Sequence, residues 1–150
     1  MAFEGGPYIQ AACFCESVIQ GNDGTLSLIR IIDQITHTVS GVDVPDDMPP
    51  VNHSMTLVLM LKSESALGRF NIAVKIEQPS GIKIDGPAFS VHLDGGNKGQ
   101  NMIPRINITF TQEGIYWFRI YIDEGGQLTH LTSLPFLVKY QRVLGGTTER

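Results

Sequence analysis

Cysteine is scarce, with only Cys13 and Cys15 among 150 residues. Separated by Phe14, the two share one face of a strand, and neighbours that close do not satisfy disulfide geometry, so both read as reduced, half-buried thiols. Zinc asks for four ligands, and no second pair stands at a spacing that would complete a Cys-x-Cys site. Positive charge is short as well: 11 Lys and Arg against 15 Asp and Glu leave a net charge of −4. With no cationic excess to neutralise phosphates, nucleic acid is not an expected partner. No stretch approaches the roughly 20 apolar residues of a membrane helix, so no membrane partner is expected either. The first eight residues carry Glu4 but no Lys or Arg, and Gln10 and Glu16 interrupt the apolar run that follows. No secretory leader is legible, and the expected location is cytoplasmic. The sequons Asn52-His53-Ser54 and Asn107-Ile108-Thr109 are then coincidental.

Catalytic signatures are missing too. Gly-x-Ser-x-Gly, His-Glu-x-x-His, the Gly-x-x-x-x-Gly-Lys-Ser/Thr loop and the dinucleotide-binding glycine pattern do not occur. Gly95-Gly96-Asn97-Lys98-Gly99 imitates a phosphate loop but lies between strands rather than opening a helix, which makes it a turn. His37 and His53 flank a long connection and could approach each other or the Asp46-Asp47 pair as metal ligands, yet solvated loop histidines are the simpler reading. Asp43, Asp46 and Asp47 lack the alternating spacing that wraps calcium. Glu113, Asp123 and Glu124 fall at turns, where exposure keeps carboxylates ordinary. The expectation is a protein that is not an enzyme, with no catalytic residues, no cofactor and no resident metal.

What the chain does hold is a rhythm of short β-type runs closed by turn clusters, which points to one all-β domain over 1–144 with a disordered tail at 145–150. At this length roughly 70% of the unfolded surface can be buried, so no staple is required. Strands are predicted over 9–18, 26–33, 55–63, 70–78, weakly over 82–93, then 106–110, 115–123 and 128–140. Gly21-Asn22-Asp23-Gly24 and Asp123-Glu124-Gly125-Gly126 supply hairpin turns. Gly86-Pro87 predicts a short edge strand, and Pro135 places the last strand at an edge or at a bulge. Residues 36–53 form the longest connection, and 94–100 another loop. In 26–33, Leu26, Leu28 and Ile32 lie on one face and Ile29 and Ile31 on the other, so either a bulge shifts the register or both faces are covered.

Glu113-Gly114-Ile115-Tyr116-Trp117-Phe118 resembles the corner leading into strand F of immunoglobulin-like domains, with Tyr116 as the corner residue that bonds back to the loop. Phe118 stands where antibody domains have their second cysteine, so the inter-sheet disulfide is absent. Together with Leu28-Ile29-Arg30-Ile31-Ile32-Asp33 and Leu57-Val58-Leu59-Met60-Leu61, the whole length resembles an uncharacterised prokaryotic family of single-domain immunoglobulin-like β-sandwich proteins. The resemblance implies an antiparallel sandwich of about seven to nine strands; it implies no activity and no site residues.

Side-chain parity then locates a surface. With Tyr116, Phe118, Ile120 and Ile122 inward, Trp117, Arg119 and Tyr121 point outward. If strand 55–63 takes the C position beside strand F, Val58 and Met60 join them on one outer face. Trp, Tyr, Met and Arg are the residues enriched at interface centres. The expected function is therefore a non-catalytic binding or assembly module, self-associating or docking a protein partner through Val58, Met60, Trp117, Arg119 and Tyr121. The alternative is a small-ligand binder, for sugar or metal, working through the end loops 36–53 and 94–100.

Overall fold

The computed structural model describes residues 5–145, and its regular structure is entirely strand. Apart from Gly145, the expected tail lies outside the described residues. In chain order the strands are β1 (Tyr8–Gln20), β2 (Leu26–Ile32), β3 (Gln34–Gly41), β4 (Val51–Glu77), β5 (Lys83–Met102), β6 (Arg105–Phe110), β7 (Gly114–Glu124) and β8 (Gln127–Leu144).

The two longest strands, β4 and β5, exceed the usual length because each turns a corner. The first half of β4 pairs with β1, β6 and the end of β5; the second half pairs with the start of β5 and with β7. Between the halves the ladder slips at Glu64, whose φ is 50°, and opposite it β5 bends at Gly95 and Gly96, with φ of 83° and 64°. Left-handed residues break the pleat, and glycine takes that conformation without a Cβ clash. The bends divide the ladder into two faces. One carries β2, β1, the first half of β4, and β6 with the end of β5. The other carries the start of β5, the second half of β4, β7, β8 and β3.

The core lies between them. Leu57, Leu59, Ile106 and Phe110 enter from the first sheet, and Ile72, Val74, Phe118 and Phe136 from the second. Rings lock its centre: Phe14 meets Phe118 edge-on at 4.8 Å, Phe110 meets Tyr116 edge-on at 4.8 Å, and Phe110 stacks on Phe136 at 5.4 Å. Such pairs add about 0.5–1.5 kcal/mol each beyond burial. The Tyr116 hydroxyl accepts from the backbone N–H groups of Thr111 and Gln112 at 3.0 and 3.1 Å, which is the expected corner. With the first half of β4 beside β6 and the second beside β7, the order is that of strands B–E and C–F, an immunoglobulin-like sandwich. One pairing departs from the antiparallel expectation: β3 runs parallel to β8.

Several sequence expectations are corrected by these bends. Residues 55–63 belong to the B position, not C, so the neighbour of the Tyr116 strand is Asn71–Glu77 of β4. The connection expected over 36–53 shrinks to 42–50, since β3 and the start of β4 occupy its ends. That loop buries Val44 and Met48 and is tied by Tyr140 Oη donating to the Pro45 carbonyl at 2.6 Å. Residues 82–93 and the loop expected over 94–100 form one continuous β5, with Gly86-Pro87 absorbed where the register shifts opposite Ala73 and Lys75. Pro135 lies where β8 has not yet met β3, so its missing N–H removes no ladder bond. In β2 neither expected outcome holds. Its pairing with β1 keeps one register, Arg30 turns left-handed at φ 56°, and Ile31 is left 64% exposed.

Candidate functional site

The alternation of β7 decides the surface. Tyr116, Phe118, Ile120 and Ile122 are fully buried, so Trp117, Arg119 and Tyr121 stand on the outer face of the second sheet. The ladder places Glu77 opposite Trp117, Lys75 opposite Arg119 and Ala73 opposite Tyr121 on the β4 side. On the β8 side it places Pro135, Ser133 and His130 against the same three residues.

The polar groups of this face are tied to one another. Arg119 donates from Nε and Nη2 to Glu77 Oε1 at 3.3 and 3.2 Å and from Nη1 to Ser133 Oγ at 3.1 Å. Ser133 Oγ lies 2.7 Å from His130 Nε2, and the His130 ring meets Tyr121 at 5.4 Å. The guanidinium sits 5.0 Å from the Trp117 ring centre. The Arg119 and Glu77 side chains are 32% and 29% exposed, so water screens the pair and its stability contribution is modest, about 0–1 kcal/mol. Its effect is positional: it fixes the fork of Arg119 over the tryptophan ring. Beside the Trp117 end a groove of about 320 Å³ opens at the seam between the sheets, with Cys13, Ile31, Ile115, Leu134, Pro135 and Leu137 in its walls. Ile31 and Ile115 are exposed there. An apolar and aromatic zone thus borders an ordered polar one.

Three of the five residues expected to form the surface come together, and two do not. Val58 and Met60 lie in the first half of β4, opposite Cys13 and Ala11 of β1, on the other sheet. Val58 is 0% exposed and offers nothing to a partner. The reason is the bend in β4, which sends the 55–63 segment to the B position. The sequence does not place Glu77, His130 and Ser133 here, because nothing in a single strand's pattern reveals which neighbour's side chains it meets.

The other candidates are dispersed. The loops proposed for a small ligand sit at opposite ends of the sandwich: one leads into Val51 at the start of β4, whereas Gly96 pairs with Glu64 thirteen positions further along that strand. The near end of the 94–100 segment, Gln100, pairs with Leu61, ten positions beyond Val51, so at about 3.3 Å per residue the two segments are separated by roughly 30 Å along β4. His37 and His53 line one cleft, but His37 stacks on Tyr140 at 6.3 Å, and Asp46 pairs with Arg142 at 3.0 Å. Among the described residues no group of three or more His, Cys, Asp or Glu could hold a metal ion. His53 Nε2 is buried without a partner; burial, and secondarily the positive charge of Arg105, push its pKa down. Burial pushes the Cys13 and Cys15 thiols up, and both are free.

Comparison with known proteins adds the following. A family model described as a family of unknown function (DUF6941) matches residues 10–139. No curated protein matches. Among solved structures the chain is similar to the CARDB domain of the PF1109 protein from Pyrococcus furiosus, determined in complex with di-metal ions. The identity is 14% and the TM-score 0.43, over 91% of this chain and 98% of that one.

Proposed function

The chain belongs to this family of unknown function, DUF6941, and we propose that it is a non-catalytic module that docks a protein partner through the outer face of the β5–β4–β7–β8 sheet. The observation that carries the reading is the arrangement of Trp117, Arg119 and Tyr121: one face, side chains held in place by Glu77, Ser133 and His130, next to an apolar groove. Aromatic and arginine anchors that are already ordered lose little entropy on binding, which is how a small patch gains affinity.

The test uses the intact chain as bait beside Trp117→Glu and Arg119→Ala. The expected outcome is a co-purifying protein that binds the unmodified chain directly and loses at least about 2 kcal/mol, roughly 30-fold in Kd, with Trp117→Glu. The fold should persist in both variants, with only a modest loss of thermal stability from the Glu77 carboxylate opposite position 117 and the lost contact with Arg119, since the ring lies outside the core. Equal binding by all three forms overturns the assignment.

A further inference from the structure

Among the described residues β3 ends its sheet and pairs on one side only, with β8, through eight consecutive residues and no register shift. The Leu137 N–H donates to the Asp33 carbonyl and the Gly145 N–H to that of Gly41. Peptide groups alternate in direction along a strand, so the odd-numbered residues between 33 and 41 turn theirs toward β8. Gln34, Thr36, Thr38 and Ser40 therefore turn both N–H and C=O to the free edge, and among the described residues no backbone hydrogen bond reaches them.

Exposed edges are ordinarily guarded by charge, proline or a bulge. β2 carries the left-handed Arg30, and the outer stretch of β5 carries Lys83, Asp85 and Pro87 with a register shift. β3 reads Gln-Ile-Thr-His-Thr-Val-Ser-Gly and has none of these devices.

We propose that this edge is filled by a second copy of the same strand, antiparallel, about a two-fold axis at His37. The strand reads alike in both directions from that point: Thr36 and Thr38 flank it, then Ile35 and Val39, then Gln34 and Ser40. In an antiparallel ladder, directly opposed residues with inward-facing peptide groups exchange two bonds. With the axis at His37, Gln34 opposes Ser40 and Thr36 opposes Thr38 on both sides of the axis, so every outward group finds a partner. A slip of two residues in either direction keeps the polarity but loses at least one such pair. Side chains match as well: half-buried Ile35 meets Val39, exposed threonine meets threonine, and no Asp, Glu, Lys or Arg lies in the strand. The axis stands normal to the sheet, which leaves both Trp117 faces on the same side of the joined sheet. The dimer does not depend on the docking reading, nor the docking reading on it.

Sedimentation and light scattering on the full chain at about 100 µM decide the matter. The unmodified protein is expected at twice its 16.5 kDa mass. Thr36→Lys/Thr38→Lys sets like charges directly opposite and should weaken the dimer at least ten-fold. Thr36→Lys/Thr38→Glu sets opposite charges across this register and should restore it. Thr38→Pro deletes an outward N–H and should also give monomer, with melting curves confirming that each variant folds. Trp117→Glu should leave the dimer intact. A monomeric unmodified chain overturns the proposal, as does a dimer indifferent to the double lysine change or a Lys/Glu variant no better than Lys/Lys.

Discussion

Replacing Tyr116 by Phe removes one oxygen from the corner at the start of β7, and the cost follows from what that oxygen holds. The hydroxyl accepts two backbone N–H groups, from Thr111 and Gln112, while the ring is fully buried against Phe110. Phenylalanine fills the same space, so no cavity contributes. Each bond is worth about 1 kcal/mol net, and a donor left dry costs up to about 3 kcal/mol. Both N–H groups are only part-buried and water can recover some of that, so we expect a loss of about 2 kcal/mol. For a domain of this length that lowers the Tm by about 4–8 °C. Urea unfolding followed by the fluorescence of the single tryptophan, Trp117, measures it directly. The midpoint should fall with the m-value unchanged, because the surface exposed on unfolding is the same. A loss under about 0.5 kcal/mol, or an altered m-value, would show that the corner does not anchor the strand.

Other perturbations should separate the roles of the remaining residues. Burial and Arg105 hold His53 below the ordinary histidine pKa of about 6.5, so the unfolded chain takes up a proton that the folded chain resists. Its contribution is whole above that value and is lost as pH falls toward the folded pKa. Urea midpoints between pH 7.5 and 5 should therefore decline less steeply in His53→Phe than in the unmodified protein. Leu59→Ala, at a fully buried position, should cost about 2–5 kcal/mol in chemical denaturation. Lys75→Met, which breaks an exposed 2.8 Å pair with Asp85, should change stability by less than about 1 kcal/mol.

How much was legible differs from strand to strand. In β7 the period of two assigned every side chain to a face, and Tyr116, Phe118, Ile120 and Ile122 are all buried. The same period put Met55, Leu57, Leu59 and Leu61 inward, where they lie. β3 escaped notice because its outward positions are Gln, Thr, Thr and Ser, which resemble a polar loop when only Ile35 and Val39 mark the other face. For Val58 alternation gives the side of the strand, but the sheet to which it belongs is settled by a bend several residues away at Glu64.

The amino-acid order alone determined the strand-rich class, the inward and outward sides of the central strands, the Tyr116 corner and the outward trio of Trp117, Arg119 and Tyr121, because alternation is a local property of an extended chain. Only the tertiary structure decided which strands are neighbours. It thereby brought Glu77, Ser133 and His130 to that trio, sent Val58 and Met60 to the opposite sheet and left the edge of β3 open. Pairing joins residues remote in sequence, and two left-handed bends that carry no hydrophobic pattern of their own select among the possible partners.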